Sequence, residues 1–193
     1  MPMLTRRLEK LATSRDADRD GISFREMQLD QWNDFFLAMS AAAGVLTGLV
    51  FVGVSINLEK IVSRSGGGLT GRAAEALILL LAVLTASVLL LVPGQSNSLI
   101  GAEVLVVGVA AYLWVSTIQL QRLREWSTMR SDLRGPLVLR VTFAQVSTIP
   151  MVVAGIAVLT VGVGGLYWIV ASMVFSTLAA MFDAWVLLVE INR

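Results

Sequence analysis

Five apolar stretches fill the chain from Phe35 to Ile191, each close to the roughly 20 residues that a helix needs to cross a bilayer. Backbone N–H and C=O groups find no water in hydrocarbon, so such stretches must satisfy themselves as helices. The expected fold class is therefore all-α, a polytopic transmembrane helical bundle of about five spans with a short helical N-terminal extension. The spans read Phe35 to Leu58, Ala73 to Val92, Leu99 to Leu120, Val138 to Val161 and Leu166 to Ile191. Residues 1–34 form a charged N-terminal segment and residues 35–193 the membrane domain. Composition agrees: hydrophobic residues make up 56% of the chain and charged residues 15%, against roughly one quarter charged in soluble domains.

The same composition removes whole classes of function. With neither His nor Cys, the chain has no thiol nucleophile, no disulfide and no imidazole base or ligand. A net charge of +1 argues against a nucleic-acid partner, which calls for a concentrated basic face. No closely spaced acid pair on the connections offers a catalytic centre, so the expectation is a protein that is not an enzyme.

Charge in the connections orients the bundle. Lys60, Arg64 and Arg72 lie in the first connection, and Arg122, Arg124, Arg130, Arg134 and Arg140 in or beside the third, while the second and fourth carry no charge. By the positive-inside rule the first and third are cytoplasmic, with the N-terminus outside and Arg193 inside. Trp32, Phe35, Tyr167 and Trp168 suit aromatic anchors at the membrane surface or packing residues.

Two kinds of residue inside the spans point to what the bundle does. Ser40, Gly44 and Gly48 recur every four residues, so they share one side of the first helix and let another helix approach closely. This assembly seam serves either intramolecular packing or contact between subunits. Polar residues are the second signal, because each is expensive in a membrane unless paired or hydrated. Asp183 stands about eight residues, or about 12 Å, from the end of the fifth span. Its antiparallel neighbour places Gln145, Ser147 and Thr148 at similar depth. That helix also carries Pro150, which cannot donate to the Val146 carbonyl and so kinks the helix or leaves an acceptor in need of another partner. Two uses remain open: a buried hydrogen bond that sets helix packing, or a hydrated ion or proton site. Glu75 suits the start of the second span, pairing with the helix dipole, Arg72 or Arg140. Glu103 is shallow in the third span, either as a helix N-terminal charge or as part of a cation-attracting ring in an oligomer.

Asp16, Asp18, Asp20 and Gly21, with Glu26 beyond, resemble the loop of the EF-hand family, in which alternating acids supply oxygen ligands and a later Glu is bidentate. The resemblance implies calcium held by Asp16, Asp18, Asp20 and Glu26. Glu26 stands at the eleventh loop position and Met27 at the twelfth, where the family has Glu. A solvated amphipathic helix and turn is the competing reading.

The stretches LTGLVFVGVSINL (Leu46 to Leu58), RAAEALILLLAVL (Arg72 to Leu84) and LVPGQSNSLIGAE (Leu91 to Glu103) resemble a family of small bacterial membrane proteins labelled modulators of the membrane protease FtsH. That resemblance implies a bacterial inner membrane location and association with a membrane protease complex. The leading expectation is a non-enzymatic integral membrane protein that acts through helix-mediated assembly, as a homo-oligomer or as a regulator of a membrane protein complex. The alternative is a homo-oligomeric ion channel or proton-coupled carrier, modulated by calcium, using Asp183, Gln145, Thr148 and Glu103. Membrane lipids are partners in either case.

Overall fold

The computed structural model describes residues 32–64, 68–124 and 131–191. The chain divides into two compact units, Met1–Phe35 and Phe36–Arg193. In the described part of the first, the rings of Trp32 and Phe35 meet edge-on at 6.1 Å.

The described elements are helical throughout: α1 (Trp32–Ile56), the short α2 (Leu58–Arg64), α3 (Gly68–Leu90), α4 (Asn97–Leu123), α5 (Ser131–Val161) and α6 (Leu166–Ile191). Helices α1, α3 and α4 are each long and apolar enough to cross a membrane. So is the continuous stretch Leu137–Val189, which the fold divides into α5 and α6. A 3-10 turn at Gly162–Gly165 makes that division. Gly162 takes φ +80°, a conformation that costs glycine nothing and other residues much. Five long helices follow, as the apolar pattern predicts, and α5 starts seven residues before the expected Val138.

Helices α3, α4, α5 and α6 close a ring in which α3 and α5 each pack on both α4 and α6. Residue pairing makes every adjacent pair antiparallel. Gly71 faces Ile118 across α3 and α4, Gly101 and Gly108 face Leu159 and Met151 across α4 and α5, and Arg140 faces Asp183 across α5 and α6. Short connections permit nothing else. One packed layer fills the ring from all four helices, built from Ala76, Leu79 and Leu80 of α3, Val115 of α4, Ala144 of α5 and Ala179 with Ala180 of α6. Leu46 and Val50 of α1 pack against that layer from the α3 and α6 side. Helix α1 is peripheral: 11% of its apolar window is buried, against 50% for α3. Helix α2 is tied down by Ile61, which packs among Leu69, Ala73 and Leu187.

Close approach is concentrated between α4 and α5. A Cβ added to Gly155 would stand 2.7 Å from the backbone of Leu105, and one on Gly108 3.0 Å from the nitrogen of Val152. Helices α4 and α5 therefore touch backbone to backbone, the geometry small residues permit in membranes. The stripe on α1 is used differently. A Cβ on Gly44 would reach only Leu84 at 3.9 Å, Gly48 has nothing within 4 Å, and the Ser40 hydroxyl donates to its own helix at Leu37 O. The face of α1 that turns inward carries Phe36 and Ala43 instead.

Candidate functional site

Burying charge in this ring demands compensation, because an isolated ion in low dielectric costs several kcal/mol. The end of the ring nearest the third connection meets that demand with two cations and two anions. Arg140, two residues inside the expected fourth span, points across the ring from α5 and pairs through Nη2 with Glu75 Oε2 of α3. Its Nε lies 3.5 Å from Asp183 Oδ1 of α6, and Arg72 Nη1 of α3 stands 3.7 Å from the same oxygen. Glu75 is 1% exposed and Asp183 7%, so both carboxylates are neutralised away from solvent, while Arg72 keeps 23% of its side chain exposed.

Amides extend the network to α4. Gln119 Nε2 donates to Glu75 Oε1 at 3.1 Å, and Gln145 Nε2 of α5 donates to Gln119 Oε1 at 3.0 Å. All four ring helices thus contribute to one connected set of polar groups. Arg140 Nη1 and Nε are buried without a hydrogen-bond partner, Nε meeting Asp183 as an ion pair only, which leaves the guanidinium partly unspent.

The expected pocket is therefore partitioned. Asp183 takes Arg72 and Arg140, whereas Gln145 turns to Gln119. Thr148 is buried and donates back to Ala144 O at 3.0 Å. Glu75 takes Arg140 of its two expected cations. Glu103 lies towards the opposite end of the bundle, half-buried, and accepts a 2.9 Å hydrogen bond from Gln95 Nε2. The proline-bearing stretch has its own device: Pro150 stays inside one helix, and the Ser147 carbonyl on the preceding turn accepts from Ser172 Oγ at 2.5 Å and Ser176 Oγ at 3.3 Å. Two hydroxyls one turn apart on α6 thereby grip one carbonyl of α5. Replacing both Ser172 and Ser176 by alanine is expected to cost about 1–3 kcal/mol, read as an earlier midpoint in detergent unfolding; the single Ser176→Ala variant should lie near wild type.

Sequence reasoning passed over Gln119, Ser172, Ser176 and the glycines of α4. Their signals were present: an amide inside an apolar run, hydroxyls at i and i+4, and Gly101 and Gly108 one heptad apart. Among the described residues no group of three or more His, Cys, Asp or Glu side chains converges as a metal site. The proposed calcium ligands Asp16, Asp18, Asp20 and Glu26 lie outside the described residues.

A separate apolar cavity of about 250 Å³ lies between α1, α3 and α6. Compared with known proteins, the chain matches no family model, no curated protein and no solved structure.

Proposed function

We propose that this chain is a non-enzymatic membrane protein that works through helix-mediated assembly, with α1 as the assembling element. The observation that carries the reading is the division of labour between α1 and the ring. Three ring helices, α3, α5 and α6, pair their charges around Arg140, α4 adds the Gln119 amide, and beside that network the ring is filled by the packed layer of Leu79, Leu80, Val115 and Ala144. Such an arrangement holds a bundle together. Helix α1 keeps Gly48 open and most of its length unburied. Small residues on an open helix face suit contact with a further helix in lipid.

Regulation of a membrane protease complex is the role suggested by the resemblance of the first three spans to FtsH modulators. With it come a bacterial inner membrane and a topology placing the N-terminus outside and the C-terminus in the cytoplasm, which the basic first and third connections favour.

The absence of Cys makes the test clean, since an introduced thiol is unique. Gly48→Cys is expected to form an oxidant-induced disulfide between copies in native membranes, whereas Val106→Cys, on an exposed position of α4, is expected to give none. Equal yields from the two positions would remove α1 from assembly. Liposomes holding the purified protein should show no ion flux. A flux abolished by Asp183→Asn would establish the channel or carrier reading instead.

A further inference from the structure

We infer that the groove between α1, α3 and α6 is a binding site for one anionic phospholipid, with an acyl chain between the helices and the phosphate at Arg72 and Lys60. The groove is apolar along its length. It runs from Val54 to Leu46 on α1, from Ala73 to Leu80 on α3 and from Leu188 to Ala180 on α6, about 12 Å of helix at 1.5 Å per residue. Its volume is about 250 Å³, and the lining residues follow the helix axes, the direction in which an acyl chain lies in a bilayer.

The position of the groove's mouth supplies the headgroup chemistry. Val54 is two residues from the end of α1, Ala73 is within the second turn of α3 and Leu188 is three residues from the end of α6. That end of the groove, its mouth, therefore lies near the ends of all three helices. Arg72 precedes the lining residue Ala73 and is the most exposed member of the charge network, at 23%. Its Nη1 stands 3.7 Å from Asp183, which leaves the other guanidinium donors of a five-donor fork for a phosphate. Helix α2 lies beside the mouth, because Ile61 packs on Ala73 and Leu187, and it presents Lys60 exposed. The whole connection from Leu58 to Arg72 holds Lys60, Arg64 and Arg72 against the single acid Glu59. A basic end on an apolar slot matches an anionic headgroup on an acyl chain, and basic pockets between membrane helices bind such lipids. The apolar wall alone would accept any lipid. The cations at one end select the anionic one.

Trp185 lines the groove and reports on it. The full-length protein would be placed in vesicles containing either dibrominated phosphatidylglycerol or dibrominated phosphatidylcholine at equal mole fraction. Quenching is read as the difference between wild type and Trp185→Phe. The expected result is an apparent affinity for the anionic lipid about fivefold higher, the equivalent of one basic contact. Gly53→Leu, at a groove position with open space beside it, should abolish that preference, and Lys60→Gln should reduce it. If Gly53→Leu loses its helical signal, Ala184→Leu narrows the same groove from α6. Equal quenching by the two lipids in wild type would overturn the site, as would a preference that survives the groove-filling variant.

Discussion

Arg140→Leu is expected to destabilise the protein by about 3–5 kcal/mol, the usual result of breaking a buried ion pair from one side. The loss comes less from the missing attraction than from what remains. Glu75, 1% exposed, keeps only the Gln119 amide beside its charge, and Asp183 keeps only the more distant Arg72. Reversible unfolding in mixed micelles of increasing sodium dodecyl sulfate would show the shift. A second substitution identifies the cause. Glu75→Gln in the Arg140→Leu background removes the stranded carboxylate, so it should recover a large part of the lost stability, whereas Glu75→Gln alone should be destabilising. A double variant no better than Arg140→Leu would mean that the arginine acts through packing and not through charge.

The second large effect is predicted at the α4–α5 contact. Gly155→Ala places a methyl group 2.7 Å from Leu105 Cα, Cβ and N, and backbone cannot rotate away as a side chain can. The helices must part, and overpacking of this kind costs about 1–3 kcal/mol. Separation would propagate to the neighbouring contacts of Gly108 with Met151 and Gly101 with Leu159. The control is Gly48→Ala, where the added Cβ meets nothing within 4 Å; the same unfolding titration should leave it at or above wild-type stability, since alanine is the better helix former. Equal losses at Gly155 and Gly48 would show that close approach at Gly155 is not the cause, since helix propensity favours alanine at both positions.

These two predictions also mark how far the sequence could be read. Glycine spacing shows which residues share a helix face, and Ser40, Gly44 and Gly48 do share one. It does not show whether that face meets a partner within the chain. The tight contact belongs instead to Gly101, Gly108 and Gly155, because α4 and α5 pack on each other along their length while α1 stays at the periphery. Likewise, the cost of an intramembrane carboxylate singled out Asp183 without identifying its cations. Arg72 and Arg140 looked like connection residues, and only the lengths of α3 and α5 carry them inside the ring.

What the sequence determined by itself is what depends on solvent and on neighbours along the chain. Apolar length dictates five membrane-length helices, and the break at Gly162–Gly165 turns the last stretch into a hairpin because glycine alone takes φ +80° without strain. Short connections then make adjacent helices antiparallel. What only the tertiary structure decided is which distant groups share an interior. Glu75 and Arg140 are 65 residues apart and Glu75 and Gln119 are 44 apart; the sequence offered Arg72 and Arg140 as alternative partners of Glu75, and no local spacing chose between them or pointed to Gln119. These meetings arise because four helices close a ring, and a charge inside that ring is tolerated only where another helix delivers its partner at the same height.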